Sequence, residues 1–110
     1  MAIIASITSE SVQNLALMPG KRALAFVKAS SVMICLPDNG LQLSARNQVP
    51  GRIGRIVEGA VNAEVCLELT EGQILAAVVS MESLAALSLH EQQEAYAVFK
   101  ESSVMIGVLD

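Results

Sequence analysis

Residues 79–106 read VSMESLAALSLHEQQEAYAVFKESSVMI, and residues 7–34 read ITSESVQNLALMPGKRALAFVKASSVMI, matching position for position at an offset of 72 with no gap. Each copy carries Glu-Ser, then Leu-x-Leu, then Lys-x-Ser-Ser-Val-Met-Ile. Repetition at fixed spacing means one supersecondary unit used twice, so the repeat has to be read before any single element. The stretch between the copies, LSARNQVPGRIGRIVEGAVNAEVCLEL (residues 43–69), has no earlier counterpart. The chain therefore runs second half, first half, second half. Residues 1–36 form the second half of a unit, 37–42 (with Pro37, Asp38, Asn39 and Gly40) a linker, and 43–110 a complete unit.

Local patterns assign elements within each half. GRIGRIVEG and AVNAEVCLEL alternate or are β-branched and are separated by Gly59, which reads as a hairpin. Thr70-Glu71-Gly72 is a turn leading into the strand QILAAVVS. MESLAALSL spaces its leucines for a short helix with Ser80 as N-cap, and a turn at HEQQ leads to strands EAYAVFK and VMIGV. The first copy gives strand (AIIASIT), short helix, turn at Pro19-Gly20, strand, break and strand. Five short strands with one brief helix predict an all-β fold with short helices. Its form is a small five-stranded Greek-key barrel of the oligonucleotide/oligosaccharide-binding type, present as one complete unit plus a half unit.

Composition narrows the function. Hydrophobic residues make up 53% of the chain and there is no Trp, so the core is built from Ala, Val, Ile, Leu and Met. A mean hydropathy of +0.52 is high for a chain of 110 residues, which predicts burial against other subunits. Formal net charge is −4, the wrong sign for binding a phosphate backbone. A single-stranded nucleic-acid binder on the same barrel needs exposed aromatics in a basic groove, and Phe26, Tyr96 and Phe99 are the chain's aromatics. Charges break every apolar run before the ~20 residues of a membrane helix, and the N-terminus lacks a basic-then-apolar leader pattern. Cys35 and Cys66 are isolated and read as reduced thiols of a cytoplasmic protein. His90 lies in a polar turn, and no His–carboxylate pair, metal cluster or phosphate-cradling glycine loop points to catalysis.

One cluster does carry chemistry. Ser44, Arg46 and Asn47 bring hydroxyl, guanidinium and amide donors together with no carboxylate among them. Donors alone suit a ligand with no protons of its own, such as a tetrahedral oxyanion.

SARN, GAVNAEV, Glu-Ser ahead of a short helix, and KASSV, in this order, resemble the Mop, or molbindin, family of molybdate- and tungstate-binding domains. The resemblance covers essentially the whole chain. It implies a non-enzymatic protein binding molybdate or tungstate and no other cofactor, either in intracellular molybdenum storage or as the sensor region of a molybdate-responsive regulator. It also implies a homo-oligomer, a dimer or higher, with ligand sites at subunit interfaces. By position, the implied oxyanion-binding residues are Ser44, Ala45, Arg46 and Asn47, then Lys28, Ala29 and Ser30, and again Lys100 and Ser102. The pairs ahead of the helices add Thr8 and Ser11, and Ser80 and Ser83. No direct metal–protein ligand and no membrane or nucleic-acid contact is expected. Two departures stand out. Glu101 replaces the Ala29 of the first loop, placing a carboxylate beside an anion site, and the first unit lacks its SARN and VNAEV half. A structural oligomerisation module with a decayed site is the alternative function these departures keep open.

Overall fold

A computed structural model of the protein describes residues 2–37 and 42–109, so the linker residues Asp38, Asn39 and Gly40 lie outside the described residues. In chain order the elements are helix α1 (Ser9–Asn14), β1 (Leu24–Val27), a 3₁₀ turn (Ala29–Ser31) and β2 (Met33–Cys35). Then come β3 (Asn47–Glu58), β4 (Asn62–Leu69), β5 (Ile74–Ser80), α2 (Met81–Ala86), β6 (Glu94–Phe99), a second 3₁₀ turn (Glu101–Ser103) and β7 (Val104–Gly107). The fold is mostly strand with brief helices. A five-stranded antiparallel sheet, ordered β2-β6-β3-β4-β5, curls until β5 meets β2, as in an OB-like barrel.

Its core follows from the alternation in the strands. β4 reads eight residues as Asn-Ala-Glu-Val-Cys-Leu-Glu-Leu, and Ala63, Val65, Leu67 and Leu69 point inward. They meet Val49 and Ile53 of β3, Ala77 of β5, Ala95, Ala97 and Phe99 of β6, and Val32 and Val104. β3 is long enough to pair on both sides because it bends. The register to β4 shifts between Ile53 and Arg55, leaving Gly54 as a bulge residue. Pro50, which has no N–H, sits where β3 has β6 as its partner and the pairing to β4 has not begun. Gly51 has a backbone reason to be glycine: a Cβ there would lie 2.8 Å from the Glu68 carbonyl oxygen.

The two repeats adopt the same local structure. Thr8 and Ser80 cap α1 and α2 with matching backbone angles, their hydroxyl oxygens accepting the N–H of Ser11 at 3.1 Å and of Ser83 at 3.0 Å. Both helices end through a non-glycine residue in the left-handed region, Ala16 at φ 51° and Ser88 at φ 50°.

The repeats also exchange strands. β2 of the first repeat pairs with β6 of the second, and β1 of the first with β7 of the second. The registers agree residue for residue. Phe26 faces Met105 as Val98 faces Met33, and Leu24 faces Gly107 as Tyr96 faces Cys35. The two repeats are thus related by a local pseudo-two-fold, and the fifth strand of the curled sheet comes from residues 33–35.

AIIASIT, read as a strand from the sequence, is not part of any sheet among the described residues. Its backbone is tied down otherwise. The Asn47 side chain brackets Ile4, with Oδ1 accepting the Ile4 N–H at 2.7 Å and Nδ2 donating to its carbonyl at 2.8 Å. The Ser6 N–H donates to the Glu101 carbonyl at 3.0 Å.

Candidate functional site

The register of β3 against β6 places Asn47 opposite Phe99. This sets the exposed start of β3 beside the turn that follows β6, so Ser44–Asn47 meets Lys100–Ser102 from more than fifty residues away along the chain. Arg46 is solvent-facing and its Nε lies 3.5 Å from Glu101 Oε2. Ala45 is buried, and its carbonyl accepts from the Gln48 side-chain amide at 3.2 Å, fixing the bend that turns Arg46 outward. The Lys100 carbonyl accepts the Ser103 N–H at 3.0 Å, which closes the turn. The Ile3–Ile7 segment lies against the same turn through the Ser6 bond and leads directly to Thr8 and Ser11. Ser44, Arg46, Lys100, Ser102, Thr8 and Ser11 therefore share one region.

Asn47 has a different place from its neighbours. It is 2% exposed, the buried polar residue of the described core, and its amide is committed to Ile4. One hydrogen on Nδ2 remains beyond that bond. Its main work is to hold the Ile3–Ile7 segment in place.

The second loop, Lys28–Ala29–Ser30, packs against β5, which ends in Ser80. Its turn closes through Ser31 N–H to Lys28 carbonyl at 2.8 Å. Lys28, Ser30, Ser80 and Ser83 form the pseudo-two-fold counterpart of the first region. Among the described residues no Ser-Ala-Arg-Asn segment stands beside this loop. The two loops thus differ in kind: one has the guanidinium with an internal carboxylate on it, the other has Ala29 and no guanidinium.

Two amides at the start of α2 are already committed within the chain. In α2 the Met81 N–H donates to the Val61 carbonyl at 2.8 Å and the Ser83 N–H to Ser80, and Ser80 and Ser83 hydroxyls lie 2.9 Å apart. The sequence marks Glu101 as a departure but not as the partner of Arg46. It also misses the part played by Ile4 and Ser6; the signal available was that Ile3–Ile7 is the repeat counterpart of Leu75–Val79, a strand.

Other surfaces suit an anion less well. A cleft of about 490 Å³ lined by Pro50, Arg52, Glu68, Glu94 and Tyr96 sets two carboxylates against one guanidinium. No cluster of His, Cys, Asp and Glu able to hold a metal occurs among the described residues. Burial, the Glu64 charge and a 3.7 Å contact with its carboxylate push the Cys66 thiol up, against the pull of Arg55, so it stays protonated and unreactive near neutral pH. Phe99 is buried while Phe26 and Tyr96 are partly exposed on separate strands, which gives no stacking platform in a basic groove. No helix among the described residues is long and apolar enough to cross a membrane.

Comparison with known proteins gives a consistent picture. The family profile of the TOBE domain matches residues 1–34 and 43–106. The molybdenum transport protein ModE of Azotobacter vinelandii is 45% identical over 106 residues, which is 96% of this chain and 39% of that protein. The chain thus spans about two fifths of the length of that relative. A probable molybdenum-pterin-binding protein of Haemophilus influenzae is 41% identical over 68 residues, 62% of this chain and 99% of that protein. Among solved structures, the cytoplasmic molybdate-binding protein ModG with molybdate bound superposes with a TM-score of 0.92 at 42% identity. The match covers 96% of this chain and 74% of that one.

Proposed function

This chain belongs to the TOBE-domain family, in its Mop/molbindin branch, and from that premise we propose that it binds molybdate or tungstate as a non-enzymatic module of molybdenum homeostasis. The observation that carries this reading is the meeting of Arg46 with the Lys100–Ser102 turn across the β3–β6 register.

Molybdate is a compact dianion with four acceptor oxygens and no proton at neutral pH. Removing it from water requires several fixed donors at once. Hydrogen bonds to a charged partner contribute roughly 1.5–3 kcal/mol each. Arg46 and Lys100 supply countercharge, Ser44 and Ser102 supply hydroxyls, and the Ala45 and Ser102 backbones supply N–H groups. Thr8 and Ser11 flank this set, and Lys28, Ala29, Ser30, Ser80 and Ser83 form its counterpart around the other turn. No residue acts as acid, base or nucleophile. The Glu101 carboxylate, 3.5 Å from Arg46 Nε, supports the reading that an anionic group is favoured at this guanidinium.

In this reading the protein is cytoplasmic and works in storage or as the ligand-sensing part of a regulator. It assembles as a homo-oligomer, with partner subunits completing sites at their boundaries. Val61 and Ile74, 73% and 70% exposed at opposite ends of the β4–β5 pair, are apolar surface available for such assembly. Isothermal titration with molybdate, and with sulfate as the competing dianion, tests the reading. Saturable molybdate binding that excess sulfate fails to displace supports it. No heat and no protection by molybdate against thermal unfolding would leave the structural-module alternative. Light scattering at micromolar concentration tests assembly, and a stable monomer overturns it.

A further inference from the structure

The two 3₁₀ turns share a backbone course and differ in one side chain that bears directly on an anion. Each is entered through an extended lysine, Lys28 at φ −64° and ψ 132° and Lys100 at φ −76° and ψ 149°. Each is left through an extended valine, Val32 and Val104. The first residue of the turn is Ala29 in one and Glu101 in the other. The Glu101 backbone is held at two points, its carbonyl accepting the Ser6 N–H at 3.0 Å and the Val104 N–H. Its carboxylate, on a side chain 26% exposed, stands 3.5 Å from the Nε of Arg46, itself 63% exposed. That separation exceeds the roughly 2.7–2.9 Å of a closed charge-assisted bond, and an exposed pair of this kind does little for the fold. A guanidinium carries five N–H donors and a carboxylate about four lone-pair sites, so one long contact leaves most of both groups open.

We propose that Arg46, Lys100 and Glu101 favour a tetrahedral oxyanion that carries a proton, hydrogen phosphate at neutral pH, over dianions that carry none. The proposal rests on the oxyanion reading of this region and narrows the class of anion that this one turn prefers. Molybdate and sulfate offer acceptor oxygens alone, so an ionised carboxylate, which can only accept, opposes both. Hydrogen phosphate sets its bare oxygens against Arg46, Lys100 and the Ser102 hydroxyl while its O–H donates to Glu101. A like-charge contact is thereby replaced by an O–H···O⁻ bond, one of the stronger kinds of hydrogen bond in proteins. An acceptor placed for a ligand's proton discriminates against the analogue lacking it, because that acceptor is then left facing a charge of its own sign. The Lys28 turn has a methyl group in this place and confers no such preference. Molybdate still finds the same donors at the Lys100 turn, but against the carboxylate.

The test is calorimetric titration of the full chain at pH 8 with inorganic phosphate, methyl phosphate and sulfate. All three are dianions there, but a phosphate ester gives up its last proton near pH 6, whereas inorganic phosphate keeps one. The expected result is inorganic phosphate bound about ten-fold more tightly than either of the others, the scale of one charge-assisted hydrogen bond. In Glu101→Ala that preference should shrink to within about two-fold, and Arg46→Ala should weaken phosphate binding about ten-fold, which locates the anion at this turn. A parent chain that binds the three anions alike, or no phosphate at millimolar concentration, overturns the proposal. So does a preference that survives in Glu101→Ala. The comparison of anions is made within the parent chain, so the test stands even where a variant fails to fold. A separate molybdate titration keeps the two readings apart. Molybdate binding without the phosphate preference sinks this inference alone, and the phosphate preference without molybdate binding sinks the molybdate reading alone.

Discussion

Asn47 and Ile4 are joined by a two-point clamp, 2.7 Å from amide oxygen to backbone N–H and 2.8 Å from amide nitrogen to backbone carbonyl. The clamp fixes a segment that no ladder among the described residues holds, next to the turn that carries Lys100. Asn47→Ala leaves the Ile4 groups part-buried without partners and should cost about 1–3 kcal/mol of stability. Asn47→Asp should cost more, because an ionised carboxylate accepts from the Ile4 N–H but repels the Ile4 carbonyl. Urea denaturation of the three proteins checks both. Equal stability across the series would show that the clamp is dispensable.

At the oxyanion region the guanidinium is shared. Glu101→Ala should raise molybdate affinity by roughly two- to five-fold, the scale of releasing an exposed ion pair. Arg46→Ala should lower affinity by about ten-fold or more, the scale of one charge-assisted hydrogen bond. Calorimetric titration reads both. A Glu101→Ala protein that binds no better than the parent would mean that the ligand does not compete for Arg46.

Gly51 stands where the β3 backbone passes close to Glu68, with 2.8 Å between the position a side-chain methyl would take and a carbonyl oxygen that is itself held in the sheet. Gly51→Ala should therefore destabilise by about 1–3 kcal/mol through overpacking. The readout is the midpoint of thermal unfolding, and an unchanged midpoint would mean that the β3–β4 ladder yields.

Helix ends offer the opposite sign. Ser88 holds a left-handed backbone at φ 50°, which costs a residue with a Cβ roughly 1 kcal/mol. Ser88→Gly should raise stability by about 0.5 kcal/mol, since glycine's greater freedom in the unfolded chain offsets part of the relief. Ala16→Gly, at φ 51° in the other repeat, should behave alike. Paired unfolding curves would reveal a destabilised variant, the outcome that contradicts the argument.

The Cys66 thiol gives a pH prediction with a definite sign. Its pKa is raised by burial first and by Glu64 second, so less thiolate is present at pH 8 than in a free cysteine. Glu64→Gln removes the second cause and should speed alkylation at pH 8. Arg55→Gln removes the opposing influence and should slow it. Rates of iodoacetamide labelling resolved by peptide mass spectrometry decide the matter; identical rates in all three proteins would refute it.

What could be read from the sequence was local. The Ser80 cap, the Gly59 hairpin and the Gly72 turn each depend on a few adjacent residues, and each stands where the patterns put it. Strand exchange could not be read. Both repeats carry the same Val-Met-Ile strand, so nothing in residues 32–34 or 104–106 says which repeat each will join. For the same reason Arg46 could be assigned to either lysine loop, and the β3–β6 register alone selects Lys100. The sequence marks Asn47 as a hydrogen-bonding residue beside an arginine, but an asparagine advertises hydrogen bonds without saying to whom. Its partner, a backbone forty-three residues away, has no side-chain signature.

Exchange between the repeats also governs how the chain reaches its fold. Leu24 must find Gly107 and Cys35 must find Tyr96 before either lone strand has a ladder. Such distant pairings are closed late, because the entropy of the intervening loop is lost before the contacts compensate it. Folding on the slow, millisecond-to-second side of small domains is the expected rhythm. During that interval β2 of one molecule meets β6 of another on equal terms with its own. Crowded refolding should therefore yield interlocked dimers by strand swapping, and dilution should suppress them.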